Sequence, residues 1–345
     1  MANTQQVAAM RRALALATSA DAPTGPNPRV GAVILDRSGT VVGEGYHRGA
    51  GSPHAEVMAL DQAGERAAGG VAVVTLEPCH HSGRTGPCTD ALLKAEIARV
   101  VFAQPDSNPI AAGGAAFLQA AGVGTEGGVL VDEAMALNPM WTFAMAQQRP
   151  FVTWKFAVSL DGRVAAADGS SRWISSEAAR ADVHRLRASV GAIVVGTGTV
   201  LSDDPQLTVR DAKFGGVAPM RVVVGERQLP ERAHVFDDAA PTLLIHSHDP
   251  AVVLKQLFML DVQHVLLEGG PTLAAAFVKA GMVDRVVAYV APMLLGGGRN
   301  VLDDPAMRSI EQALRLQPES IERIGDDIRI TATLLSASTP SIERN

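Results

Sequence analysis

The stretch Glu77–Cys88, "EPCHHSGRTGPC", decides how the first half of this chain is read. It holds the only two cysteines among 345 residues, nine positions apart and beside His80 and His81. Three readings are open: a disulfide, a pair of buried apolar side chains, or two legs of a metal site. The compartment bears on the choice. The N-terminal segment "MANTQQVAAMRRALALATSADAPTG" alternates apolar and polar residues at helical spacing and lacks the unbroken apolar run of a signal peptide. No apolar stretch approaches the roughly 20 residues of a membrane span. These features predict a cytoplasmic protein, where neighbouring cysteines serve as metal ligands or reactive thiols more often than as structural disulfides.

Outward from this stretch, strands and helices alternate. Residues 5–19 read as an amphipathic helix, 29–36 and 40–45 as β-rich runs about the turn "RSG", 54–67 as a helix and 71–76 as a buried strand. A helix at 89–97, a strand at 99–103 and helical stretches at 114–121 and 131–147 follow. Pro150 then stops the pattern. It restarts with strands at 151–158, 191–196, 220–225, 241–247, 264–270, 284–290 and 327–335, and a helix at 176–189. Such alternation predicts open α/β sheets covered by helices. The length predicts two domains, and the stop at Pro150 with the restart at 151 places them at 1–147 and 148–345. A formal charge of −6 with 4% aromatic residues gives no footprint for nucleic acid.

"HAE" (54–56) opens the helix before the strand that ends in Pro78-Cys79. Strand ends and helix starts meet on one edge of an α/β sheet, so His54, Cys79 and Cys88 can converge. One imidazole and two thiolates satisfy zinc and leave the fourth tetrahedral position for water, as in catalytic sites. Zinc brings the pKa of bound water to about 7. The order H-x-E, then P-C, matches zinc nucleobase deaminases, in which the glutamate is not a ligand but moves protons. Glu56 is that residue here. Eight residues separate Cys79 from Cys88, against two in the nucleic-acid deaminases.

The long spacing, with "PNPRVGAVI" (26–34) and "GEGYHRGAGSPHAE" (43–56), resembles the pyrimidine deaminase half of the bifunctional riboflavin biosynthesis deaminase–reductase family. The resemblance implies a cytidine-deaminase-like three-layer α/β/α domain, with Asn27 and His47 holding the base. From the residues alone these two are a turn residue and a surface imidazole. His80 and His81 are substrate contacts or plain loop residues. The consecutive histidines of the family fall one place later, where Ser82 occupies the second. Arg84, in a Gly-flanked loop, suits either a phosphate or solvent.

Before the domain boundary, "GVGTEG" (122–127) matches the dinucleotide fingerprint but follows a helical segment rather than a strand, and is rejected. "VVGTGTVLSDDPQLTVR" (194–210) and "LLEGGPTLAAAF" (266–277) each run from strand through a Gly/Thr loop to a helix start, where backbone N–H groups can cradle phosphate. With "KFAVSLDGRVA" (155–165) and "SRWIS" (171–175) they resemble the reductase half of the same family, in its domain order.

That resemblance implies a dihydrofolate-reductase-like α/β fold, NADPH as hydride donor and a phosphorylated pyrimidine as substrate. It implies substrate contacts at Lys155, Ser171, Arg187, Leu207, Arg210 and Glu268. Cofactor contacts fall at Val158, Trp173, Thr199, Asp203, Gly270, Pro271, Thr272, Leu273, Ala274, Ala275 and Ala276. Arg187 and Arg210 suit a sugar phosphate, which guanidinium binds bidentately. His184, His234, His246, His248 and His264 fit no metal spacing with the cysteines and read as structural or surface residues.

The resemblance further implies zinc-dependent deamination of 2,5-diamino-6-(5-phosphoribosylamino)pyrimidin-4-one. NADPH-dependent reduction of the ribosyl side chain to ribityl would follow. It also implies a homo-oligomer, while the charge, the few aromatics and the lack of a long apolar stretch predict no nucleic-acid or membrane partner. Competing readings are an editing deaminase with an appended domain, a purely structural zinc closed by His80 or His81, and a chain in which one half has lost its activity.

Overall fold

The computed structural model describes residues 2–19, 25–81, 86–210, 216–302 and 308–335. They form two compact units, Met1–Gln148 and Arg149–Asn345. Among the described residues no helix is long and apolar enough to cross a membrane. Arg84 and Ser82 lie outside the described residues.

The first unit runs α1 (Thr4–Ala17), β1 (Gly31–Leu35), β2 (Val41–Tyr46), α2 (Ala55–Ala63), β3 (Val71–Leu76), α3 (Cys88–Lys94), β4 (Arg99–Gln104), α4 (Gly114–Ala120), β5 (Gly124–Glu126), α5 (Val131–Leu137) and α6 (Pro139–Gln147). Its sheet has the order β2-β1-β3-β4-β5, with β1 antiparallel to both neighbours and the other pairs parallel. Side chains alternate between faces along a strand, and here both faces are buried. Ala32, Ile34, Val74 and Val100 pack with α2, α3 and α4 through Ala59, Leu92 and Leu118. Val33, Val73 and Val101 pack with Met10 and Ala13 of α1 and Ala134 of α5. The result is three layers, α/β/α.

Two local features refine the sequence reading. The helix expected over 131–147 is two helices, broken at Asn138. The Asn138 carboxamide accepts from the Arg29 N–H (2.7 Å) and donates to the Arg29 carbonyl (2.8 Å), which ties that residue to the chain before β1. Pro139, which has no N–H to donate, then starts the next helix. The rejected fingerprint is an edge strand, because Gly124–Glu126 pairs parallel with β4 and opens no helix.

The second unit comprises β6 (Phe151–Ser159), β7 (Arg163–Ala165), α7 (Glu177–Ala188), β8 (Ala192–Gly196), α8 (Thr197–Asp203), β9 (Met220–Val224), β10 (Thr242–Ile245), α9 (Pro250–Met259), β11 (His264–Leu267), α10 (Pro271–Lys279), β12 (Arg285–Ala291), β13 (Arg299–Asn300), β14 (Leu316–Ile324) and β15 (Asp327–Leu334). The large sheet has the order β10-β9-β8-β11-β6-β12-β15-β14. It is parallel from β10 to β12, and the β14–β15 hairpin adds antiparallel to that edge. β7 and β13 form a separate two-stranded ribbon. Ser176 caps α7 as its sequence predicts, accepting from the Ala179 N–H.

β8 and β11 are neighbours, yet the helices that follow them leave on opposite faces. Val200 of α8 packs with Ile193, Val195 and Leu266. Phe277 and Val278 of α10 pack with Val194, Val265 and Leu267. Neighbouring strands that send their helices to opposite sides open a crevice at their carboxyl ends, where ligands bind in open α/β sheets. Both Gly/Thr loops lie there.

The seat of α2 on the first sheet rests on bare backbone. A Cβ on Gly43 would overlap the Ala59 carbonyl oxygen, and one on Gly45 the Ala55 carbonyl oxygen. Gly43→Ala is expected to destabilise the first unit by about 1–3 kcal/mol through overpacking. Thermal melting, with zinc release followed by a chromogenic chelator, measures this. An unchanged transition would show that α2 shifts freely.

Candidate active sites

In the first unit the carboxyl ends of β2, β3 and β4 share one edge of the sheet. His47 follows β2, Glu77-Pro78-Cys79 follow β3, and Asp106 follows β4. His54 is the N-cap residue of α2, and Cys88 begins α3. Cys79 and Cys88 are free thiols, not a disulfide. The ligand atoms of His54, Cys79 and Cys88 lie within 4.8 Å of one another. His54 Nδ1 stands 3.1 Å from Cys88 Sγ and 3.5 Å from Cys79 Sγ. A tetrahedral zinc with Zn–S of about 2.3 Å and Zn–N of about 2.0 Å bridges such a span.

Charge supports the same reading. The Cys88 thiol hydrogen-bonds Cys79 and, with help from His54 and against burial, holds Cys79 well below the ordinary thiol range. The same bond, with burial, pushes Cys88 up. Two buried sulfurs in contact resist ionising together, and a dication between them would let both ionise.

Glu56 sits in the first turn of α2 and is 4% exposed. Burial raises its pKa, and its carboxyl hydrogen-bonds the Cys88 side chain. It thus adjoins the three donors without belonging to them. Among the described residues no further His, Cys, Asp or Glu completes the group. His80 in particular is engaged elsewhere: its ring stacks on Phe117 at 3.8 Å, and its Nδ1 lies 3.1 Å from Thr89 Oγ1. His81 Nδ1 is buried and has no hydrogen-bond partner among the described residues.

Asn27 and His47 meet. The His47 Nδ1–H donates to the Pro53 carbonyl (3.2 Å), which leaves Nε2 to accept from the Asn27 amide (2.9 Å). His47 is buried, not a surface imidazole, and burial lowers its pKa. Its ring lies edge-on to that of His54 at 5.4 Å between centroids.

Sequence reasoning missed two acids beside this site. Glu77 accepts the N–H groups of Asp106 (3.1 Å) and Ala115 (2.9 Å) and so ties the Cys79 loop to β4 and α4. Asp106 has its carboxyl pushed up to about 7, first by burial and then by Glu77, Cys79 and Glu56. The signal was the polar "DSN" (106–108) just past a buried strand.

In the second unit Glu268, beyond the end of β11, is the charged centre. Arg187 of α7 grips it through two hydrogen bonds, Nε to Oε1 at 2.6 Å and Nη2 to Oε2 at 3.0 Å. Lys155 Nζ from β6 stands 3.9 Å away. Burial alone would raise the Glu268 carboxyl, but Arg187 and Lys155 overcome it and hold the pKa at about 2. Burial lowers the Lys155 pKa, against the pull of Glu268. Arg187 Nη1 also donates to the Thr208 carbonyl (3.1 Å), which brings in the segment carrying Leu207 and Arg210. Leu207 is buried with φ of +52°.

Of the cofactor candidates, Thr199 and the start of α10 meet at the crevice described above. Gly270, the N-cap residue of α10, faces Thr199, so that a Cβ on it would lie 3.9 Å from the Thr199 hydroxyl. Pro271, Thr272, Leu273, Ala274, Ala275 and Ala276 form the first turns of α10. A Cβ on Gly269 would strike the Leu273 side chain. Bare backbone with open N–H groups at a helix start suits a phosphate. Asp203 ends α8, and its carbonyl accepts from Arg172 Nη2 (2.6 Å), which ties the "SRWIS" segment there. Trp173 is 66% exposed, with the Arg180 guanidinium 4.5 Å above its ring. Val158 is buried in β6 and pairs with Val290. Ser171 is exposed and makes no described contact with the Lys155–Glu268–Arg187 cluster. His264 is half-buried, with Nε2 2.9 Å from Thr153 Oγ1, and plays a structural part.

Comparison with known proteins agrees with both halves. Residues 3–104 match the cytidine and deoxycytidylate deaminase zinc-binding region, and residues 150–330 match the RibD C-terminal domain. The riboflavin biosynthesis protein RibD of Mycobacterium tuberculosis is 50% identical over 337 residues, covering 95% of this chain and 98% of that one. The Escherichia coli protein of the same name is 40% identical over 355 residues, covering 92% and 96%. Among solved structures, Acinetobacter baumannii RibD superposes with a TM-score of 0.85 at 38% identity, covering 96% of this chain and 99% of that one. A deaminase/reductase from Thermotoga maritima gives 0.79 at 30% identity, covering 96% and 99%. This chain, with a zinc-binding deaminase domain followed by a reductase domain, belongs to the RibD family of bifunctional riboflavin biosynthesis enzymes.

Proposed function

We propose that the two units perform successive steps on one phosphorylated pyrimidine. The first hydrolytically deaminates 2,5-diamino-6-(5-phosphoribosylamino)pyrimidin-4-one. The second reduces the ribosyl side chain with NADPH to give 5-amino-6-(5-phosphoribitylamino)uracil. The observation that carries this reading is Glu56, a buried acid that adjoins three metal donors and is not one of them.

Zinc, held by His54, Cys79 and Cys88, supplies the Lewis acidity that makes water a nucleophile near neutral pH. Glu56 takes one proton from the attacking water and gives it to the ring nitrogen as the C–O bond forms; it then takes the second from the resulting hydroxyl and gives it to the amino group, which leaves as ammonia as the carbonyl forms. Its raised pKa suits a group that must hold a proton between those transfers. His47, its tautomer set by Pro53, orients the Asn27 amide toward the base.

In the second unit NADPH supplies the hydride. Val158, Trp173, Thr199, Asp203 and Gly270 to Ala276 line its place. Lys155, Ser171, Arg187, Leu207, Arg210 and Glu268 hold the substrate, with the Arg210 guanidinium toward the phosphate and Arg187 held on Glu268. The reading includes a cytoplasmic homo-oligomer, which light scattering after size-exclusion chromatography tests.

Three outcomes test the assignment. Removing zinc with a chelator is expected to stop ammonia release while NADPH oxidation of pre-deaminated substrate continues; ammonia release undiminished in zinc-free protein sinks the first step. Glu56→Gln is expected to keep its zinc and slow deamination at least about 100-fold; loss of zinc instead would make Glu56 a ligand. Glu268→Gln leaves Lys155 and Arg187 without their counter-charge. It is expected to raise the substrate KM of the reductase and to cost roughly 3 kcal/mol of stability.

The pH dependence of that last effect has a definite sign. The folded carboxyl at about 2 lies below its ordinary 4.5. Its contribution is therefore full above about pH 4.5 and fades as pH falls toward 2. The melting difference between wild type and Glu268→Gln should shrink over that window. A difference independent of pH would show that the charge is not what matters.

A further inference from the structure

α7 holds the segment before residue 211 with two side chains, not one. Arg187 donates to the Thr208 carbonyl. His184, one turn earlier on the same helix, takes the other end: its Nδ1 lies 3.1 Å from the Arg210 backbone nitrogen and accepts that N–H. Only an imidazole unprotonated at Nδ1 can accept. Burial, together with the positive charges of Arg187 and Arg210, lowers the His184 pKa and favours that state.

Arg210 needs such a hold. Its residue is exposed, its guanidinium has no described carboxylate partner, and it follows Leu207, whose backbone is in the left-handed region. A long cation on an unanchored loop loses much of its binding energy to ordering. Fixing its backbone beforehand recovers it.

We propose that His184 is a positioning residue of the reductase site, whose Nδ1 fixes the Arg210 backbone so that the guanidinium is aimed at the phosphate monoester of the substrate. This rests on the reading above that Arg210 contacts substrate. His184 touches neither the reacting carbon nor the cofactor. Its effect belongs in KM for the phosphorylated substrate, not in kcat and not in NADPH affinity.

The choice of substitutions separates this from a general structural role. Asparagine places its amide oxygen near the position of Nδ1, whereas glutamine reaches the position of Nε2. In the full-length protein, with the deaminated ribosyl phosphate as substrate, His184→Leu and His184→Gln are expected to raise KM about tenfold or more. Turnover should stay within about threefold, and the NADPH Kd, measured by fluorescence titration, should not move. His184→Asn should recover most of the KM. With the dephosphorylated substrate the variants and wild type should converge.

Equal KM values for wild type and His184→Gln would overturn the proposal. So would a failure of His184→Asn to recover, or a parallel loss of NADPH affinity. Should His184→Leu melt early, the Asn/Gln comparison still decides. Arg210→Ala serves as the control: an unchanged KM there overturns the reading of Arg210 itself. A raised KM there with His184→Gln unaffected overturns the role of His184 alone.

Discussion

Parallel strands that end on the same edge of a sheet leave their backbones open at one place, and everything functional in this chain is built on that constraint. In the first unit the Glu77 N–H still bonds the Gln104 carbonyl at 2.8 Å. Beyond that pair the chains after β3 and β4 must separate, and Cys79 and Asp106 turn out over the edge. In the second unit the split falls between β8 and β11, and the two Gly/Thr loops flank it. Among the glycines there, Gly269 is tightly packed, since a Cβ on it would strike the Leu273 side chain.

The two sites handle buried charge in opposite ways. The deaminase site is short of positive charge: two thiols and Glu56 crowd one imidazole, and their pKa values are driven apart until a cation arrives. The reductase site is complete within the protein, since Glu268 satisfies Arg187 and stands against Lys155. Once paired, Arg187 has one guanidinium nitrogen for the Thr208 carbonyl, and the loop carrying the second arginine is held by the same helix. A buried acid here acts as an organiser of cations.

Much of the metal site was legible because each residue carries its chemistry in its type. Histidine and cysteine at strand and helix boundaries, with a glutamate two places on, have few other uses. Strands such as "GAVIL" and "VAVVTL" were legible because both faces are buried and their side chains are apolar without interruption. α9 and β14 were not anticipated. β14 is mostly exposed, and its residues lack the alternation that marks a half-buried strand. The break at Asn138 was invisible because its cause is Arg29, more than a hundred residues earlier.

The sequence by itself determined the sheet-and-helix alternation, the three metal donors, the acid beside them and the Gly/Thr loops, since these depend on residue type and near neighbours. Only the tertiary structure decided which side chains share a charge. The Arg187–Glu268 pair spans 81 residues, His184 and Arg210 span 26, and Asp106 feels Glu56 from a different strand-to-helix segment of the unit. Electrostatics and hydrogen bonding act through space over a few ångströms, and no local pattern in the chain encodes which distant groups the fold will bring that close.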